Sequence, residues 1–144
     1  MTGSANLSHL LASMSPVLHD ETFGFITVDA NTALSEIGAV MQFTELEGLT
    51  LIAPLERAKA AGLTCEFPCR MITLNIHSSL EAVGFLAVIT THLATLDMGV
   101  NPVSGFYHDH LFIPADRAAD AMTALAELSQ KYQDQINADL TMQS

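Results

Sequence analysis

Two stretches decide the fold: LIAPLERAKAA at Leu51 to Ala61 and, sixty residues further on, LFIPADRAADA at Leu111 to Ala121. Laid over one another they match Leu51, Pro54, Arg57, Ala58 and Ala61 with Leu111, Pro114, Arg117, Ala118 and Ala121, five identities in eleven positions. Glu56 over Asp116 and Ile52 over Phe112 keep their type. An alanine-rich background accounts for matched alanines, but not for a matched proline and a matched arginine in a chain whose other arginine is Arg70. Similarity at a fixed period marks a duplicated unit. Each copy reads as a strand that ends in proline and runs into a helix: Gly48 to Ala53 then Pro54 to Gly62, and His108 to Ile113 then Pro114 to Tyr132. Proline suits a first helical turn, where its missing amide has no helical partner to lose. Gly62 is a natural residue to stop the first helix. The second continues its apolar stripe through Ala121, Met122, Leu125 and Leu128.

Upstream of the second copy, Met71 to His77 alternates, with Ile72, Leu74 and Ile76 on one face, which predicts a strand. Ser78-Ser79-Leu80-Glu81 has the form of a capping box, Ser78 capping a first-turn amide and Glu81 reaching back. The helix that should follow carries Phe85, Ile89, Leu93 and Leu96 on one stripe, widened by Val83, Leu86 and Val88. Met98 to Tyr107 contains Gly99, Asn101-Pro102 and Gly105, which suits an edge or bulged strand. The second half thus reads strand, helix, strand, strand, helix, with a last strand expected from the polar tail Ile136 to Met142 or from elsewhere, the split βαβ pattern. The first half reads as a short helix at Leu7 to Met14, a strand at Thr22 to Val28, and strands near Val40 to Thr44 and Gly48 to Ala53. Thr64 to Phe67 closes that sheet and Pro68 marks the crossover. The expected units are 1–68 and 69–144. So short a link predicts that the strand near Arg70 to His77 lies beside those of the first half in one antiparallel sheet.

Hydrophobic residues make up 49% of the chain and charged ones 15%, on the ordered side of the boundary with disorder. The formal charge of −11 repels phosphate backbones and anionic lipid, which argues against nucleic acid and membrane partners. Met71 to Leu96 is apolar, yet a spanning helix would not carry His77, Ser78, Ser79, Glu81, Thr90, Thr91 and His92. Cys65 and Cys69, in a C-x3-C pair, match neither a redox motif nor half of a zinc site and read as core residues. With no secretory signal legible, a reducing cytoplasm is the expected location.

Three motifs together, ELEGLTLIAP at Glu45 to Pro54, HSSLEAVGF at His77 to Phe85 and FYHDHLFIP at Phe106 to Pro114, give the chain its likeness to a known group. It resembles the small bacterial tandem ACT-domain proteins and, more remotely, the cytosolic arginine sensors of animal growth signalling, from LLASMSP at Leu10 to Pro16 through Leu128. The resemblance implies an α+β fold of two ferredoxin-like βαββαβ units sharing an antiparallel sheet with helices on one face. It implies frequent dimers and an amino acid or similar small metabolite bound where units meet. The chain departs from the pattern at about Asn31 to Ile37, where only a stub stands for the first unit's first helix.

The candidate ligand site is the turn of Ser78, Ser79, Leu80, Glu81, Ala82, Val83 and Gly84, where the amides and positive dipole end of a helix can receive a carboxylate. Gly84 leaves room for a ligand or a neighbouring backbone. The plainer alternative is that Ser78 and Glu81 only cap the helix. Glu45 and Glu47 share a strand face at Gly48 and can hold an ammonium or guanidinium group, or form a solvated strand end. Tyr107, His108 and Asp109 are the other candidates to read the ligand. His108 and His110 suggest a metal, with His77 or Asp97 as third ligand, but only two ligands are visible, so neither metal nor cofactor is expected. No phosphate loop, H-E-x-x-H or G-x-S-x-G is present, and the reading is not an enzyme. It is a sensor of an amino acid acting as a homodimer or through a protein partner. The alternative is a ligand-free assembly module whose sheet and Leu80 to Leu96 helix serve only dimer contacts.

Overall fold

The computed structural model describes residues 6–32 and 37–143. In chain order these form α1 (Leu7–Ser13), β1 (Pro16–Val28), β2 (Met41–Thr44), β3 (Leu49–Pro54), α2 (Leu55–Ala60), β4 (Glu66–Leu74), α3 (Phe85–Ala94), β5 (Asn101–Ser104), β6 (Asp109–Pro114), a 3-10 turn (Ala115–Arg117) and α4 (Ala118–Gln143). The sixty-residue repeat holds to the residue in the strands, since β2 and β3 map onto β5 and β6 end for end. Both copies turn from strand to helix immediately after their proline. The shortened helix expected at about Asn31 to Ile37 falls largely outside the described residues.

One six-stranded sheet runs in the order β2-β3-β1-β4-β6-β5, with every neighbouring pair antiparallel. The expected adjacency of the strand after Arg70 to the first half is present: β4 pairs with β1 on one side and β6 on the other. That strand stops at Leu74 rather than His77. Pro68 does not mark a crossover. It lies inside β4, where the register with β1 shifts between Phe23 and Phe25 and Phe67 takes φ 53. An irregularity of this kind tolerates a residue with no amide to donate.

The tail Ile136 to Met142 does not supply the second half's last strand, because it continues α4 as helix. The place is filled by the beginning of β1, which starts at Pro16, six residues before the expected Thr22. Pro16, Val17 and Leu18 pair with Leu74, Thr73 and Ile72, on the side of β4 away from β6. From Phe23 onward the same strand pairs with β3 and completes the first half. Between the two segments the register slips, and Arg70 Nε and Nη2 donate to His19 O at 3.0 and 2.7 Å.

The helices cover one face of this sheet. The larger core joins Ile72 and Leu74 of β4 and Leu111 and Ile113 of β6 to Phe85, Ile89 and Leu93 of α3 and Leu125 and Leu128 of α4. Leu10, Leu11 and Met14 belong to this core too, so the N-terminal segment packs with the second half. Burying a leucine fully contributes about 1.5–3 kcal/mol. Asn6 caps α1 by accepting from His9 N at 3.1 Å, and at its other end Ala12 O accepts from Ser129 Oγ and Gln133 Nε2 of α4. A smaller core holds Ile26, Val28, Leu49, Leu51 and Ala53 against Ala58 of α2. On the opposite face Phe23, Ile52, Cys69 and Phe112 form a third cluster, with Phe23 and Phe25 both meeting Phe112 edge to face. Cys69 donates to Phe23 O, and burial pushes its thiol pKa up to about 12. Among the described residues no helix is long and apolar enough to cross a membrane.

Candidate functional site

The loop after β4 does not open a helix at Ser79 as the capping-box reading requires. It runs as irregular chain to Gly84, and α3 begins only at Phe85. The serines are engaged elsewhere. Ser78 Oγ donates to Asp109 Oδ2 at 3.4 Å, and Ser79 Oγ accepts from Glu81 N at 3.1 Å. The helix is preceded instead by Gly84 at φ 93, in the left-handed region that a glycine adopts without strain, and no side chain caps it. The first-turn amides of Phe85, Leu86 and Ala87 therefore lack intrahelical partners and stand at the positive end of the helix.

These residues line a cavity of about 180 Å³ together with Ser78, Ser79, Leu80, Ala82 and Gly84 from the loop and Ser104, Gly105, His108 and Asp109 from the β5–β6 hairpin. Its size falls below the range of about 300–1,000 Å³ usual for drug-sized ligands, so it suits a small molecule. Asp109 is buried, 8% exposed, and Ser104 Oγ donates to its Oδ1 at 2.6 Å while Ser78 holds Oδ2. Each carboxylate oxygen can accept more than one hydrogen bond, so capacity remains for a ligand donor. The cavity is thus bordered by the uncapped first turn of α3 on one side and by a fixed carboxylate on another. A Cβ on Gly84 would meet Leu7 Cδ2 of α1 at 3.3 Å, so this glycine also lets α1 sit against the loop.

Seven of the expected site residues line the cavity: Ser78, Ser79, Leu80, Ala82, Gly84, His108 and Asp109. Glu81 and Val83 are exposed on the loop outside it. Tyr107 is 64% exposed and packs against Phe106 and His77, beside the cavity rather than in it. Glu45, Glu47 and Gly48 are not brought to it within one chain. Their hairpin begins β3 at Leu49, opposite Val28 at the end of β1, whereas Asp109 is reached through Leu74, opposite Pro16 at its start. Twelve residues of strand separate Pro16 from Val28, about 35–40 Å at some 3.3 Å each. Glu45 instead accepts from Thr50 Oγ1, and Glu47 lines a shallow depression with Thr27, Asp29 and Thr32. The sequence reading named helix-terminal amides but missed Ser104, Gly105 and the first-turn residues Phe85, Leu86 and Ala87. Ser104 was findable, because the repeat places it across the hairpin from Asp109 as Thr44 stands across from Leu49.

The two hairpin histidines diverge. His108 Nδ1 lies 3.5 Å from Ile76 O, while His110 Nδ1 is 2.9 Å from Thr73 Oγ1, which also meets His19 Nε2 at 2.8 Å. Burial first, then His108 and His19, lower the His110 pKa below its ordinary 6.5, against the pull of Asp109. Among the described residues no three His, Cys, Asp or Glu side chains gather to hold a metal ion.

Family models described as ACT domain match residues 2–70 and 66–127. A solved protein of unknown function from Vibrio cholerae, described as a possible transport protein, is 40% identical over 85% of this chain and 95% of its own, with a TM-score of 0.76. An Agrobacterium tumefaciens protein shares the fold at 16% identity, covering 81% of this chain and 89% of its own, with a TM-score of 0.69. The ligand-free regulatory subunit of aspartate kinase from Thermus thermophilus does so at 14% identity, 78% and 95% coverage and a TM-score of 0.53. No curated protein matches the chain.

Proposed function

The chain belongs to the ACT-domain family, two units in tandem, and from that premise we propose that it is a regulatory protein that binds a free amino acid or close analogue in the cavity at the start of α3. The observation that carries this reading is the pair of opposite poles across one small space: uncapped amides of Phe85, Leu86 and Ala87 for a carboxylate, and the buried Asp109 carboxylate for an ammonium group. A zwitterion satisfies both poles at once, whereas an anion or a cation alone satisfies one and meets the other's opposition.

The fold likeness to regulatory domains of aspartate kinase supports a regulatory module rather than a catalyst. The loop that borders the cavity runs beside α1, where a Cβ on Gly84 would meet Leu7, and α1 is tied to α4 through Ala12. Occupancy of the cavity therefore has a packed route to the helical layer, where a second copy or a protein partner can read it.

A thermal-shift screen against the free amino acids, each beside its des-amino and decarboxylated analogue, tests the reading. Binding to the native state raises stability by about 2.7 kcal/mol at a hundredfold excess over Kd. At least one amino acid should raise the melting point, and both of its analogues should fail to do so. A screen in which nothing responds at millimolar concentration, or in which an analogue lacking one pole does as well as the parent compound, contradicts it.

A further inference from the structure

On the sheet face away from the helices, side chains of three neighbouring strands form one hydrogen-bonded chain. His19 Nε2 of β1 and His110 Nδ1 of β6 stand 2.8 and 2.9 Å from the same oxygen, Thr73 Oγ1 of β4. Thr73 is buried and both rings are half-buried, so water does not freely replace either partner. A hydroxyl has one proton to give, so one ring donates to Oγ1 while the other accepts from it. The chain is complete with both rings neutral, and equally with one imidazolium donating into it. A second proton makes both ring nitrogens donors to one oxygen, leaves the hydroxyl proton without its acceptor and sets two cations side by side. His110 is the ring that takes this second proton, because burial, then His108 and His19, oppose its charge and Asp109 alone favours it. Among the described residues these are the titratable groups that face it: His108 and Asp109 on its own side of the β5–β6 hairpin and His19 on β1. β4 brings the neutral Thr73, and the hairpin brings Gly105, where a Cβ would meet His110 Nε2 at 3.5 Å. Gly105 and Asp109 both line the cavity, so the acid-sensitive ring lies against its wall without entering it.

We propose that the His19–Thr73–His110 chain is an acid-sensitive control on the cavity: a proton taken from solvent by His110 displaces the Thr73 hydroxyl and sets a positive charge beside Asp109, whose hold on an ammonium group weakens. This rests on the reading of Asp109 as the ammonium partner. Neighbouring residues of a strand point to opposite faces, so His110 acts on the ligand through the charge of Asp109 and not by touching it. The effect is reciprocal: an ammonium on Asp109 offsets the negative charge that favours a proton on His110, so occupancy holds His110 neutral. The first half has no counterpart, with Thr50 where His110 stands and the Thr50 hydroxyl given to Glu45.

Calorimetric titration of the full chain with its responding amino acid tests this between about pH 7 and about pH 5, a range in which the free amino acid keeps both charges. In the parent the dissociation constant should rise roughly threefold or more on acidification, as expected for unit charges on adjacent residues in partly hydrated surroundings. His110→Thr, which copies the first half, should flatten most of that rise. His108→Gln removes the imidazole that lines the cavity and should keep the rise, whatever its own affinity. Imidazole NMR needs no ligand: removing the rival ring in His19→Gln should move the His110 titration midpoint up toward its ordinary 6.5. An affinity indifferent to acid, a rise that survives His110→Thr or vanishes in His108→Gln, or a His110 midpoint unmoved in His19→Gln each overturns the proposal while the amino-acid site stands. If no amino acid binds, the site and its control fall together. If His110→Thr fails to fold, the His19→Gln midpoint decides.

Discussion

The two halves share strand bounds at a fixed offset, yet they differ at the start of β3 and β6. Leu49 and Asp109 stand at the same place at the start of the equivalent strands β3 and β6. Leu49 is 5% exposed and packs into the smaller core, so the first half is sealed there. Asp109 is similarly buried but is held by two serine hydroxyls and opens onto a cavity. Gly48 and His108, Thr50 and His110, Gln42 and Pro102 differ in the same manner. The backbone plan is shared, while the second half carries a polar pocket and the first an edge strand without proline. The residues that fix strand pairing and core packing leave hairpin and edge positions free to change after a duplication.

The largest expected effect probes the cores. Leu51 and Leu111 are equivalent and both fully buried. Truncation to alanine should cost about 2–5 kcal/mol at each, and more at Leu111, whose cluster draws on three helices. Urea denaturation of both variants checks this, and an equal or reversed cost breaks the ranking. A finer probe concerns α1. If it belongs energetically to the second half, Leu10→Ala and Leu125→Ala should be non-additive by about 0.5–3 kcal/mol, while Leu10→Ala and Leu51→Ala should add within about 0.5 kcal/mol. Additivity in both cycles would detach α1 from the half it touches.

The smallest effect is one of pH and contrasts His110 with Thr50. The fold lowers the His110 pKa, chiefly by burial, so folding favours its neutral form. Its contribution is fully present above the unfolded value near 6.5 and is lost as pH falls from there through the lower folded value. His110→Thr, which copies the first half, removes that loss. The parent's melting point should therefore fall more than the variant's between about pH 7 and about pH 5. Parallel pH profiles would show that the buried imidazole is not penalised.

Much of the scaffold was legible because it rests on local rules. The prolines at 54 and 114 end strands and open helices, and Pro102 marks an edge, all from the absence of an amide. The misreadings involve distant partners. Ser78 to Glu81 has the spacing of a capping box, but Asp109, thirty-one residues on, takes the Ser78 hydroxyl and the helix starts later. The polar tail was a poor strand, and the strand that fills its place comes from the opposite end of the chain, which no periodicity announces. Of the residues that line the cavity, most of the loop and Asp109 could be named from sequence. Glu45 and Glu47 could not be separated from it until the length of β1 placed their hairpin at the other end of the sheet.

The central claim is that the second half alone holds the amino-acid site and that Asp109 reads the ammonium group. Calorimetric titration of the responding amino acid into the parent, Asp109→Asn and Glu47→Gln tests it most directly. Losing a charge-assisted hydrogen bond should weaken binding by about 1.5–3 kcal/mol, roughly ten- to a hundredfold, in Asp109→Asn. Glu47→Gln, at the far hairpin, should bind as the parent does. Undiminished affinity in Asp109→Asn, or a loss of affinity confined to Glu47→Gln, would contradict the account.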